Sequence, residues 1–204
     1  IAVEIVPSPE CTASLAGYLM LRRPGRPQVT LKLATSLDGR IALANGESRW
    51  ITGDAARAHC HAMRARSDAI VVGGGTQRAD APRLDVRLPG LADRSPERWV
   101  LTRGEAPEGW RALAHPDGIH AMADIQHLYV EGGAQTAAAF LAEGLVDRLT
   151  LYRAPILIGA GLAAIGDIGL GTLGEAHGQW RVADRRTLGI DVLEVYERIP
   201  CSPE

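Results

Sequence analysis

Between residues 29 and 35 apolar and polar positions alternate. Val29, Leu31, Leu33 and Thr35 share one face of a strand, and Thr30, Lys32 and Ala34 share the other. Residues 40–44 read as a short second strand. Thr52-Gly53-Asp54 opens a helix running to about Arg66, with Thr52 as its N-cap. Residues 68–73, DAIVVG, form a compact apolar strand, and residues 74–96, rich in Pro, Asp and Arg, read mostly as loop. A short strand is expected over 98–102 and another over 127–131, HLYVE. The second leads directly into Gly132-Gly133 and an alanine-rich helix to Glu143, which Gly144 ends. Residues 147–158 read as a long strand interrupted at Pro155, and 159–178 as glycine-rich loop with a short helix. Residues 179–188 and 190–199 pair as a hairpin around Gly189. Upstream, a strand over 2–6 and a helix over 12–21 precede a linker, Arg22-Arg23-Pro24-Gly25-Arg26-Pro27. Strands and helices alternate first and a hairpin comes last. The expected fold is therefore α/β, with a mostly parallel sheet and an antiparallel edge.

Composition narrows the function. The chain has 204 residues, 46% hydrophobic and 23% charged, with a net charge of −2. There is no basic tail or like-charge block, which disfavours nucleic acid. Three widely spaced cysteines, Cys11, Cys60 and Cys201, do not make a disulfide framework and point to a reducing compartment. No apolar run approaches the roughly 20 residues of a membrane helix, and no signal peptide is visible. The chain opens on Ile1 rather than Met, so the expectation is a piece of something longer.

Three stretches carry candidate chemistry. In LYVEGGAQTAAAFLAEG, residues 128–144, Glu131 ends a strand, two glycines turn, and a helix begins. Helix N-termini hold phosphates, and open α/β sheets bind ligands at strand carboxyl ends. The alternative is a plain strand–helix turn with a solvated Glu131. In DAIVVGGGTQRADAPRLDVR, residues 68–87, the glycines after the strand do not fit G-x-G-x-x-G, because the sixth position is Arg78. Arg87 is an anion ligand or a surface arginine. Lys32 sits mid-strand, where an unpaired ammonium is costly to bury. It either reaches a carboxylate or ligand, or its strand lies at an edge. Arg57, His61 and Arg64 share a helix face, either as an anion site or as a solvated surface. His59 and His61 point apart on a helix, so His59-Cys60-His61 is not a metal site. The zinc-deaminase and G-x-S-x-G patterns are absent.

In this order, VTLKLATSLDGRIALANGESRWITG, MRARSDAIVVGGGTQRADAPRLDVR and YVEGGAQTAAAFLAEGLVDRLTLYRAPILIG resemble the reductase domain of the bifunctional riboflavin-biosynthesis deaminase/reductase. The resemblance runs from about Arg26 to Tyr196. It implies a dihydrofolate-reductase-like fold, a cytoplasmic homodimer, and NADPH-dependent reduction of 5-amino-6-(5-phosphoribosylamino)uracil to the ribitylamino phosphate. It also implies a division into residues 1–28, resembling a deaminase-domain tail and linker, a reductase domain over 29–199, and a tail over 200–204. By the same resemblance Ala34, Trp50, Thr76 and Asp80 contact NADPH. Gly132, Gly133, Ala134, Gln135 and Thr136 fall on the stretch, reaching residue 139, that wraps its phosphates. Ser48, Arg64, Leu84, Arg87 and Glu131 match substrate-binding positions, and Lys32 matches a lysine beside the reacting sugar, which makes Lys32 and Glu131 the catalytic candidates. No metal is implied. Two features depart from the pattern: the usual Asp-Asp-Pro reads Asp80-Ala81-Pro82, and the stretch between Thr102 and His127 is short. Rival readings are a reductase of the undeaminated diaminopyrimidine or of a related pterin, and a non-catalytic dimeric scaffold.

Overall fold

The structure, a computed structural model, describes Val6 and residues 8–199. In chain order its elements are α1 (Pro9–Ser14), α2 (Ala16–Arg22), β1 (Gln28–Thr35), β2 (Arg40–Ala42), α3 (Asp54–Arg64), β3 (Ala69–Gly73), α4 (Gly74–Asp80), β4 (Glu97–Leu101), β5 (Arg111–Leu113), β6 (His127–Val130), α5 (Ala134–Ala142), β7 (Arg148–Arg153), β8 (Leu162–Ala163), β9 (Trp180–Leu188) and β10 (Asp191–Arg198). An eight-stranded sheet has the order β5-β4-β3-β6-β1-β7-β10-β9. The first six run parallel, β10 lies antiparallel to β7, and β9 pairs antiparallel with β10. The α/β expectation, with its antiparallel end, describes this sheet.

The alternation in β1 sets the layers. Val29, Leu31 and Leu33 pack with Val71, Leu128 and Val130 against Ala137 and Phe140 of α5. On the opposite face Ile70, Val72, Tyr129, Tyr152 and Leu193 pack against Ala56 and Cys60 of α3. The sheet is thus covered on both sides, and all five residues of β3 are buried, as its continuous apolar run requires. Phe140, the chain's one phenylalanine, is fully buried; that alone stabilises by about 1.5–3 kcal/mol. The β9–β10 turn is Gly189-Ile190, and φ of +66° at Gly189 suits a glycine-first hairpin turn.

Several expectations change. The strand over 2–6 lies outside the described residues apart from Val6. The helix over 12–21 is two helices broken at Leu15. There α2 docks so closely on β6 that a Cβ at Gly17 would lie 2.5 Å from His127 Nε2. Residues 74–80 are helix, not loop. Despite glycine's helix penalty, the chain runs directly from β3 into this short helix, none of whose residues is buried, and Ala81 in the left-handed region (φ 38°) followed by Pro82 ends it. The α3 N-cap is Gly53, not Thr52; its N–H donates to Asp191 Oδ2 at 2.7 Å. β7 ends at Arg153, before the Pro155 break, and the chain then supplies β8, which pairs with β2 in a separate two-stranded sheet. β5 was not anticipated at all.

The start of β1 is fixed by one partly buried carboxylate. Asp147 accepts both terminal nitrogens of Arg26, at 2.8 and 2.9 Å, and the Val29 N–H at 2.8 Å. Replacing Asp147 with Ala leaves the buried Arg26 guanidinium uncompensated. Asp147→Ala is expected to lower the unfolding free energy by about 3 kcal/mol in urea titrations; a loss under about 1 kcal/mol would show the pair to be only a surface-grade contact.

Candidate active site

Three adjacent strands, β3, β6 and β1, end on the same side of the sheet, and a cleft of about 540 Å³ opens there. Lys32 and Ala34 come from β1, Gly75 and Thr76 from the start of α4, and Glu131, Gly132 and Gly133 from the turn after β6. Helix α3 supplies the facing wall through Arg57, Cys60, His61 and Arg64. Ser48, Arg49 and Trp50 on the loop before α3 stand at the mouth with Asp80 and Arg87.

On the cleft floor, Arg64 Nε and Nη2 donate to the two oxygens of Glu131 at 2.7 and 2.9 Å, and Nη1 donates to the Asp85 carbonyl at 3.0 Å. Both side chains are nearly buried. Burial pushes the Glu131 carboxyl up, but the Arg64 fork and the charge of Lys32 outweigh it and hold the group below its ordinary value. Glu131 is therefore ionised at neutral pH and fully engaged. Beside it, burial and the Glu131 charge raise the Cys60 thiol to about 11, which keeps it protonated.

Lys32 has the opposite surroundings. β1 is a central strand, so the edge alternative is removed. Among the described residues its ammonium forms no ion pair, and the Tyr152 ring centroid lies 5.9 Å away. It thus projects into the cleft. The chain's 22 lysine and arginine residues include a single lysine, this one. Lysine count is the signal that composition offered and that motif reading passed over. Arginine serves at every other such position but cannot release a proton at physiological pH.

The other candidates divide. Ser48 and Trp50 are exposed at the rim, and Arg57 lies over the Trp50 ring at 4.7 Å. Asp80 pairs with Arg49 at 3.5 Å across the mouth. Arg87 sits 3.5 Å from Asp85 and remains mostly exposed. Leu84 does not line the cleft: it is buried in the α3-side core with φ 55°. Such a backbone costs on the order of 1–3 kcal/mol; it precedes the Asp85 carbonyl that receives Arg64 and lies 3.1 Å from His61 Nδ1. Burial, then Arg64 and Arg87, depress the His61 pKa and keep the ring neutral. Ala134, Gln135 and Thr136 form the first turn of α5, behind the cleft wall. Thr136 is buried and wedged between strand ends. A Cβ at Gly73 would lie 2.2 Å from Thr136 Oγ1, and one at Gly132 2.4 Å from Thr136 Cβ. Those glycines exist to admit Thr136. Gly75 and Gly133 instead leave open space toward the cleft, where a Cβ would meet nothing closer than 3.9 Å. That opening, with uncapped N–H groups at the start of α5, fits a phosphate-bearing cofactor.

Sequence reading missed Arg49, Cys60, Tyr152 and Leu162 as cleft residues. The shared face of Arg57, His61 and Arg64 does point inward, so the solvated alternative fails for that face.

A model of the RibD C-terminal domain family matches residues 27–113 and 119–193. The chain belongs to the RibD C-terminal domain family. The riboflavin biosynthesis protein RibD of Mycobacterium tuberculosis is 38% identical over 193 residues, covering 88% of this chain and 57% of that protein. The Escherichia coli K12 protein is 33% identical over 225 residues, covering 86% and 61%. The chain thus spans less than two thirds of these relatives. Acinetobacter baumannii RibD superposes with a TM-score of 0.81 at 30% identity, covering 93% of this chain and 63% of that one. A Thermotoga maritima diaminohydroxyphosphoribosylaminopyrimidine deaminase/5-amino-6-(5-phosphoribosylamino)uracil reductase, at 0.78 and 23% identity over 93% and 62%, shares the fold.

Within the Ser36-Leu37-Asp38-Gly39-Arg40 stretch, Asp38 is a clamp rather than a cleft residue. It accepts Ser36 Oγ at 2.6 Å and the N–H groups of Gly159 and Ile158 at 2.7 and 3.1 Å, which lower its pKa to about 2. A carboxylate whose folded pKa is depressed stabilises above its unfolded pKa, near ~3.9, and loses that contribution as pH falls toward the folded value. Melting temperature is therefore expected to fall as pH drops from about 4 to about 2. Asp38→Asn should flatten that fall; a slope unchanged in the variant would remove Asp38 as its source.

Proposed function

We propose that the cleft catalyses NADPH-dependent reduction of 5-amino-6-(5-phosphoribosylamino)uracil, as the reductase part of a two-domain riboflavin-biosynthesis enzyme that works as a cytoplasmic homodimer. The observation that carries this is the chain's single lysine, which has no ion-pair partner among the described residues and projects from a central strand into an arginine-rich cleft at the sheet's carboxyl edge. Five cationic side chains line the cleft, Lys32, Arg49, Arg57, Arg64 and Arg87, against two carboxylates, Asp80 and Glu131. One carboxylate is neutralised within the floor, so the field favours anionic ligands. The relatives' names place them in riboflavin biosynthesis, and the Thermotoga protein's name supplies the substrate and joins its reduction to a deaminase.

When bound, the cofactor supplies the hydride. The protein's own groups do the rest. The Gly132-Gly133 turn at the N-terminus of α5 would hold its phosphates, while Thr76 and Asp80 border the same groove. Ala34, small and on the Lys32 face of β1, leaves room for a flat ring. As the ribosylamine opens to the imine, the sugar oxygen gains a proton and the nitrogen loses one. Reduction at C1′ then returns a proton to that nitrogen. Lys32 is the group placed to move these protons. Glu131 does not serve as the acid, because it is ionised and held by Arg64; it fixes Arg64 instead. Arg87, the less engaged arginine, meets the 5′-phosphate with Ser48. Trp50 at the rim closes over the bound pair and excludes water.

Lys32→Arg separates charge from proton transfer. With the phosphoribosylaminouracil substrate, the variant should bind NADPH within about threefold of the parent while kcat falls by about 100-fold or more. Full activity in Lys32→Arg would reduce Lys32 to a charge. Arg87→Ala should raise KM for the substrate about 10-fold or more, with kcat little changed. Turnover of the undeaminated diaminopyrimidine in preference to the deaminated substrate would move the assignment to that branch.

A further inference from the structure

Lys32 needs something to hold its amine in place, since no carboxylate among the described residues does so. β7 pairs with β1 so that Tyr152 lies opposite Ala34 and Thr150 opposite Lys32. The Tyr152 side chain shares the α3-side core and lines the cleft, and its ring stands 5.9 Å from the Lys32 nitrogen. The residue is 1% exposed, so the ring has little freedom. Its hydroxyl lies 2.8 Å from His59 Nδ1. His59 Nε2 in turn lies 3.2 Å from Arg186 Nη2 on β9. An arginine nitrogen only donates, so Nε2 accepts and the imidazole proton sits on Nδ1, donating to the Tyr152 oxygen. Burial, then the Arg186 charge, lowers the His59 pKa, in keeping with that neutral tautomer.

We propose that Tyr152, clamped by His59 and through it by Arg186, is the positioning residue for Lys32: its ring fixes where the ammonium presents its protons in the cleft. The proposal rests on the reductase reading above for its catalytic consequence. A cation held over an aromatic face in a partly desolvated site is attracted to the ring quadrupole. The ring does not touch the reacting atoms and acts only through the amine.

The single lysine makes the test specific. Reductive methylation with 13C-formaldehyde places one lysine dimethylamine signal in the protein, separate from the terminal amine. Close to an aromatic face this signal is displaced by the ring current. Tyr152→Leu should move it toward the position of a free lysine, whereas Tyr152→Phe and His59→Gln, which keep the ring but lose the hydroxyl–imidazole clamp, should broaden or partly shift it. In turnover with NADPH, Tyr152→Leu should lower kcat by about 30-fold with KM for the dinucleotide unchanged. Tyr152→Phe should stay within about threefold, and His59→Gln should lose about threefold. In a Lys32→Met background, Tyr152→Leu should cost nothing further. His59→Gln, at a half-buried site, keeps the test open if Tyr152→Leu does not fold. The proposal is overturned if the methyl signal ignores Tyr152→Leu and His59→Gln alike, or if the Tyr152→Leu loss persists in Lys32→Met. Absence of wild-type turnover, with the signal shifts intact, would instead refute the reductase reading alone.

Discussion

The paired Arg64 and Glu131 determine what the cleft can do. Their fork joins α3 to the end of β6, two elements on which most of the site is built. It keeps Glu131 ionised and uses three donor directions of Arg64. With that carboxylate occupied, Lys32 keeps its charge for a ligand. Buried pairs of this kind contribute little net stability, because desolvation offsets attraction, yet breaking one leaves a buried charge alone. The pair thus acts mainly to define geometry, dividing the floor into a fixed anion and an available cation.

Around that division, much of the recognisable motif is scaffolding. Asp38 ties the turn after β1 to residues 158 and 159, beside the small β2–β8 sheet whose Ala42 and Leu162 border the cleft. Gly73 and Gly132 make room for Thr136, which spaces the strand ends from α5. Leu84 anchors its loop to the core, and its left-handed backbone precedes the carbonyl that receives Arg64 beside His61. These residues shape the cleft without reaching into it. The groups left open to a ligand are Lys32, Gly75, Gly133, Ser48, Trp50 and Arg87.

What the sequence revealed follows from periodicity. The alternation in β1 puts Lys32 and Ala34 on one face, and the uniform apolar run of β3 marks a strand covered on both sides. The fold class and the strand–Gly-Gly–helix turn were therefore legible. The α4 helix was not, because its glycines and Pro82 argue locally against helix and none of its residues is buried to give it an apolar period. The short β5 and β8 carry too few residues for any period to show. The Arg64–Glu131 pair and the Tyr152–His59 contact join residues 67 and 93 positions apart, a relation that only the folded sheet creates. The single lysine was visible in composition and needed the cleft to give it meaning.

The central claim is that Lys32 is a free amine at the point where cofactor and substrate meet. An amine-specific reagent tests this directly, because peptide mapping can assign every modified amine to Lys32 or to the chain terminus. The account predicts that Lys32 is modified readily in the free protein and that NADPH together with the phosphoribosylaminouracil substrate slows its modification by about 10-fold or more, while the terminal amine is unaffected. Equal rates of Lys32 modification with and without both ligands would contradict it.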